Sequence, residues 1–273
     1  MLQRSIDEVL DESAGIEWSV SIRDAAGHEL VCCNGDRPMK TASVGKLLLL
    51  IEVARQCASG DLSGATLLER DPELMVADSG LWQHLHVNDL PVDDLCVLVA
   101  SVSDNTATNV LLKLVGLQRI GRLAESLGLI HTALHDYVRD RRGPNDPPAL
   151  STGSASELSR LMTQLARGDL ISPSVSERVN DWLATGVDLS MVASAFGLDP
   201  LAHAPTGRNT FVRNKTGADP GVRADIGTVG RDALLLSYAV IANWEPAEAG
   251  LRDRVLSRMN TIGTILRSDI KGE

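Results

Sequence analysis

The sequence lacks most of the features that would have assigned it quickly. No apolar run approaches the roughly 18 residues that a membrane-spanning helix needs, so none of its 273 residues reads as a transmembrane segment. Basic residues are in deficit. Lys and Arg number 26 against 36 Asp and Glu, a formal net charge of −10, which repels phosphate backbones and anionic lipid on average and argues against nucleic-acid or membrane partners. Four cysteines (Cys32, Cys33, Cys57, Cys96) show no metal-type spacing, and reduced, mostly buried thiols are expected. His84, His86, His131 and His135 do not form a His-Glu-x-x-His pattern, so they are expected as surface or core residues, and neither metal nor cofactor is called for. Gly45-Lys46 lacks phosphate-loop spacing, with Leu47 where Ser or Thr is needed, and no Gly-x-Ser-x-Gly elbow occurs. Internal repeats and low-complexity segments are missing. Residues Met1 to Glu8 have no apolar core and carry acids early, so a cytoplasmic protein is expected, exported only if a signal was trimmed from this sequence.

What is present starts with a 44% apolar composition, enough for one large domain or two smaller ones. The chain is best organised around Thr41 to Leu50. Ser43 and Lys46 stand three apart, so in a helix they share a face and the hydroxyl can meet the ammonium. The run Leu47 to Ile51, continued by Val53 and Ala54, is apolar all round, as in a helix buried in a core. Burial at its mouth lowers a lysine pKa, and a lysine so lowered can activate a neighbouring serine.

Along the chain, Leu2, Ile6, Val9 and Leu10 predict a helix over 2–12 that stops before Gly15. Trp18, Val20 and Ile22 alternate with polar residues as in a half-buried strand, and Glu29 to Cys33 returns as its partner. Helices are predicted over 92–99, 106–115, 117–127, 156–167 and 174–185, the last with a Ser174/Glu177 capping box. Between Asp136 and Ser151 periodicity vanishes, which marks a functional or disordered loop. Strands are predicted over 210–215, 224–229 and 234–241, the third covered on both faces, with a closing helix through Leu251, Val255, Met259, Ile262 and Leu266. Strands at both ends and helices between predict a single sheet assembled from both termini, an α/β (α+β) arrangement.

Two further groups give Ser43 its context. Ser103-Asp104-Asn105 opens a helix, and Lys215-Thr216-Gly217 ends a predicted strand. Ser-x-x-Lys, Ser-Asp-Asn and Lys-Thr-Gly together are the signature of class A β-lactamases and penicillin-binding proteins. The sequence resembles the class A β-lactamase family, also in the run Ser103 to Leu112, in Asp181-Trp182-Leu183 and in Arg223-Ala224-Asp225-Ile226. The resemblance implies a five-stranded antiparallel sheet flanked by helices, formed from residues 1–37 and 187–273. It also implies an all-helical domain over 38–186, with the active site between the two.

By the same resemblance Ser43 is the nucleophile, Lys46 its proton partner, Ser103 a relay to the leaving nitrogen and Lys215 a positive charge beside it. Asn105 would bond a substrate amide. Thr216 and Arg223 would grip a substrate carboxylate, with the oxyanion on the N–H groups of Ser43 and Ala218, beside Gly217. Asp104 reads as a helix cap. Trp82 reads as a wall of the cleft or as a core residue. The family's Thr-x-Leu-x-Arg-x-Glu, whose Glu drives deacylation, is matched here by Thr132 to Val138, with Asp136 at the arginine position and Val138 at the glutamate position. Asp136, Asp140 and Asp146 are candidate substitutes for that base. Ala42 precedes the nucleophile where many members have cysteine, and Leu50 stands opposite Cys96 where some have a disulfide, so Cys96 is expected to be unpaired.

The expected protein is a monomeric serine hydrolase acting on a small molecule, a β-lactam or related amide or ester, through an acyl-enzyme. Two alternatives stand beside it: a penicillin-binding, peptidase- or esterase-like protein that deacylates slowly, and a binding homologue without turnover.

Overall fold

The computed structural model describes residues 2–11, 14–201, 210–231 and 234–271. The chain opens with helix α1 (Leu2–Asp11) and the hairpin of β1 (Ile16–Asp24) and β2 (Glu29–Cys33). A short β3 (Met39–Lys40) leads to a 3-10 turn, Ala42–Gly45, which runs directly into α2 (Lys46–Ser59). Next come β4 (Leu67–Glu69), β5 (Asp89–Pro91), α3 (Val92–Val102), α4 (Asn105–Val115) and α5 (Leu117–Ser126). The strands β6 (Ala133–Leu134) and β7 (Ser151–Gly153) bracket a long loop, and α6 (Ala155–Arg167) and α7 (Pro173–Leu183) follow. The last part is β8 (Thr210–Asp219), β9 (Val222–Arg231), β10 (Leu234–Trp244) and α8 (Leu251–Lys271).

Five strands form one antiparallel sheet in the order β2-β1-β10-β9-β8, so the first and last parts of the chain meet at its centre. Each C-terminal strand extends past its predicted bounds, because hydrogen-bonded partners carry the ladder through turn-flanking polar residues such as Asp219 opposite Val222. On β1 the alternation of Trp18, Val20 and Ile22 with polar residues suggested one wet face. That face is dry instead: Ser19 and Ser21 are fully buried, and the Ser21 hydroxyl meets Ser159 of α6 at 2.8 Å. Paired hydroxyls satisfy one another, which lets polar residues line a buried sheet face.

Two apolar cores result. One joins α2 through α7 to the sheet face bearing Ala224, Ile226, Ala239 and Ile241. The other packs Trp18, Val20, Tyr238 and Val240, on the opposite face, against α1, α8 and the turn Val192–Phe196. The 38–186 segment is therefore not wholly helical, since β3 to β7 lie within it, and its core is continuous with the sheet. Within that core α2 buries Leu47 to Ile51, Val53 and Ala54, all 1% exposed or less, as its all-apolar sequence required.

The helix ends follow capping chemistry with one displacement. Ser172, not Ser174, caps α7, accepting from Val175 N while Pro173 takes the first helical position. Proline there is pre-set for a helix and has no N–H to satisfy, so the start moves to it. The four cysteines are unpaired, but only Cys96 is buried; Cys32 is exposed and the other two half-buried. No helix among the described residues is long and apolar enough to cross a membrane. Because Leu49 is enclosed on every side, Leu49→Ala is expected to lower stability by about 2–5 kcal/mol, read from urea midpoints at unchanged m-value.

Candidate active site

Ser43 lies in the 3-10 turn at the head of α2. The residue before it, Ala42, has a φ of 47°, a left-handed conformation uncommon for a residue with a Cβ. The turn is tied down by the Ser151 hydroxyl, which donates to Ala42 O. Strand β8 passes directly against it at Gly217, where a Cβ would stand 2.1 Å from Thr41 O and 3.1 Å from the nitrogens of Ser43 and Val44. Only glycine permits that approach, which brings Ala218 to the same cleft as Ser43.

Lys46 begins α2 and has no solvent exposure. Its Nζ donates to Ser103 O and Asn105 Oδ1, both at 2.7 Å, and to Ser103 Oγ at 3.2 Å. Those three acceptors use all three ammonium protons. The Ser43 hydroxyl is not among them, and Lys46 is not among the residues lining the cleft that Ser43 lines, so it reaches that cleft only through Ser103 and Asn105. Burial, and next the like charge of Lys215, hold Lys46 well below the usual lysine range. Lys215 on β8 donates to Ser103 Oγ at 3.1 Å and to Thr216 O at 2.9 Å. Burial lowers it to about 8, against the opposing pull of Asp188 and Asp225.

Ser103 is thus the meeting point of both lysines. It ends α3 in the left-handed region, φ 57° and ψ 36°, a conformation that costs roughly 1–3 kcal/mol for a non-glycine residue. The next residue compensates. Asp104 accepts from Leu81 N, Trp82 N and Ala107 N at 2.7–2.8 Å, capping α4 and fixing the loop before α3. The structural reading of Asp104 and the core reading of Trp82, which is fully buried, both follow.

Ser43, Ser103, Asn105, Lys215, Thr216 and Ala218 line one cleft of about 440 Å³. The aperiodic 136–151 loop forms part of its wall through Val138, Arg139 and Arg142. Asn109 clamps Val138 there, donating to its carbonyl at 2.9 Å and accepting from its N–H at 2.8 Å.

Three expected site residues stand elsewhere. Asp136 is 4% exposed and outside the cleft lining, accepting from Arg139, from Arg142 and from Tyr137 N. Burial alone would raise its pKa, but those donors outweigh burial and hold it below the usual carboxylate range. It is the loop's internal counter-ion and a poor base. Asp140 accepts from Ala77 N and lines a different depression. Arg223 points into a neighbouring groove, over Trp244 at 6.0 Å, with NH1 donating to the carbonyls of Asp219 and Val222.

Conversely, the cleft contains carboxylates that no sequence signal marks. Asp78, Asp188 and Asp219 line it, each in a loop or at a strand end with no motif around it.

A family model described as the beta-lactamase enzyme family matches residues 1–253. The chain belongs to that family. A beta-lactamase of Streptomyces albus G is 25% identical over 181 residues, 64% of this chain and 58% of the relative. The beta-lactamase regulatory protein BlaB of Streptomyces cacaoi is 27% identical over 141 residues, 51% of this chain and 45% of the relative. The chain thus spans about half the length of these curated relatives. In fold it is similar to a beta-lactamase from Sphaerobacter thermophilus DSM 20745, with TM-score 0.84, 23% identity and coverage of 100% of this chain and 97% of that one. It is also similar to PBP-A, with TM-score 0.82, 18% identity and coverage of 100% and 96%. The fold of this family member is therefore class A β-lactamase-like.

Beneath the site Asp225 is fully buried, accepting from Asn214 Nδ2 and Tyr238 OH, both at 3.1 Å. Burial pushes its carboxyl up from 3.8 to about 7. The folded state then holds a proton that the unfolded chain releases, so this group's stabilising contribution is lost as pH rises between those values. From pH 4 to pH 7 the urea midpoint of the wild type is expected to fall relative to that of Asp225→Asn, whose side chain does not titrate, the difference cancelling the other groups that titrate in both proteins.

Proposed function

We propose that this protein is an active-site serine hydrolase that opens a β-lactam or related amide or ester through an acyl-enzyme on Ser43 and releases the acyl group slowly. The observation that carries this reading is the convergence of two buried lysines on Ser103 Oγ, at the cleft that Ser43 lines.

In the forward step Ser43 Oγ bonds to the substrate carbonyl carbon as its proton passes to the neutral amine of Lys46. The carbonyl oxygen becomes an oxyanion held by the N–H groups of Ser43 and Ala218; one such donor is worth about 3–4 kcal/mol of barrier. As the tetrahedral species collapses the bond to the leaving atom breaks. That atom takes the Ser103 hydroxyl proton, which the Lys46 ammonium replaces, so the proton account closes with Lys46 neutral again. Lys215 keeps positive charge beside Ser103 throughout. Asn105 both positions Lys46 and presents its carboxamide to the cleft.

Slow release is supported by the wall opposite Ser43. Val138 stands where the family carries its deacylating glutamate, and Asp136 and Asp140 are committed to other partners. A positioned general base is worth about 10²–10⁴ in rate, and its absence slows attack of water far more than attack of serine.

Intact-protein mass spectrometry after mixing with a chromogenic cephalosporin tests both parts. A persistent adduct on Ser43, absent from Ser43→Ala, is expected. Val138→Glu should shorten its lifetime by about 10–100-fold, towards the value of a positioned base. Rapid colour without a lasting adduct would replace slow release by full turnover. Neither colour nor adduct would leave a binding protein.

A further inference from the structure

Away from the catalytic cleft, one side of α4 borders a groove. Asn109 and Lys113 stand one turn apart on it, as do Val110 and Leu114. These residues line two depressions, of about 380 and 340 Å³, that meet at Leu74. Leu68, Leu74 and Val110 make one apolar floor, and Val76 and Tyr137 belong to the other. Leu114 and Met75 are 39% and 43% exposed there, so the groove keeps two large apolar side chains in water.

Its rim is acidic. Glu69 and Asp71 border one depression, Glu73 and Asp140 the other. The two cations beside them are already taken. Lys113 pairs with Asp71 and Arg139 with Asp136, both at 2.7 Å. Glu69 accepts from the Asn88 amide and Asp140 from Ala77 N, but among the described residues neither they nor Glu73 form an ion pair. The β4–β5 ribbon also sets Glu69 directly opposite Asp89, an arrangement of like charges that destabilises a strand pair.

The groove is connected to the catalytic cleft. Val138 and Arg139 line both. The Asn109 amide that clamps Val138 also donates to Leu74 O at 3.2 Å, so one side chain joins the groove floor to the cleft wall.

We infer that this groove is the docking surface for a basic amphipathic helix of a partner protein, and that its occupancy acts on the cleft through Asn109 and Val138. Apolar residues one turn apart on such a helix would cover Leu114, Met75 and the floor, while its Lys or Arg flanks would balance Glu69, Glu73 and Asp140. Charge argues against other occupants. A second copy of this chain, at net charge −10, would bring acids to acids, and nucleic acid or anionic lipid is repelled likewise. The docking stands independently of the acyl-enzyme reading; its effect on the cleft rests on that reading.

The probe is a synthetic amphipathic peptide of leucine and lysine, about 15 residues long so that it can hold a helix. Its binding to the whole protein is measured by fluorescence anisotropy. The double variant Glu69→Lys/Glu73→Lys is expected to weaken binding about 10-fold, as two exposed charge pairs would, and Leu114→Asn to weaken it further. Glu125→Lys/Asp253→Lys makes the same change in net charge outside the groove and should leave the affinity near that of the wild type. Equal weakening by the two double variants, or equal binding of a peptide with glutamate in place of lysine, overturns the docking surface. Saturating peptide should shift the rate of adduct formation on Ser43 by about 5-fold or more, the usual scale of coupling between sites. An unmoved rate overturns the coupling. If no adduct forms with or without peptide, the hydrolase reading fails, and the anisotropy still decides the docking surface.

Discussion

Two ammonium groups held out of water around one serine hydroxyl are the constraint on which the rest of the structure depends. Removing an ion from water costs several kcal/mol after relaxation, and here two of the same sign are buried together. Lys46 answers with three hydrogen bonds and Lys215 with two, all to atoms of Ser103, Asn105 and Thr216. The remaining imbalance is expressed as lowered proton affinity at both lysines. An amine that loses its proton readily is what the proposed serine chemistry requires, and it comes here from the same burial that carries the electrostatic penalty.

Holding that cluster requires backbone in unusual places. Ser103 occupies left-handed space to turn its carbonyl toward Lys46, and Asp104 fastens it by collecting three N–H groups from two segments. Ala42 is left-handed beside Ser43, secured by Ser151. Gly217 lets β8 touch the turn that carries Ser43. The sheet supplies the rigidity for this: β8 is an edge strand, but β9 and β10 behind it are buried on both faces, between the two cores. Strain concentrated near the cleft is supported by an unstrained scaffold, which is where proteins keep it.

The loop after β6 shows how charge can be rearranged within a shared fold. The acid at the position of a family arginine is neutralised by arginines three and six residues later, so the loop retains an internal ion pair while its carboxylate is withdrawn from the cleft. The acids that do face the cleft come from other segments. Family membership and fold therefore coexist with a cleft whose polar lining differs from the one that resemblance implied.

Local pattern made the element types legible. An all-apolar run can only be buried, alternation and β-branched residues favour strands, and the Ser-x-x-Lys, Ser-Asp-Asn and Lys-Thr-Gly groups each fell at the helix start or strand where they were expected. The family was likewise readable, as was the set Lys46, Ser103, Asn105 and Lys215 that the fold gathers together, because each belongs to a short motif. The two-residue strands and the buried serine face of β1 were not, since both exist only through partners far along the chain. What the tertiary structure alone decided is where each charge finds its partner. Whether Asp136 faces the cleft or an arginine, whether Arg223 reaches a ligand or a carbonyl, and that Asp188 lines the cleft depend on long-range packing, and a carboxylate carries no sequence mark of the neighbour it will meet.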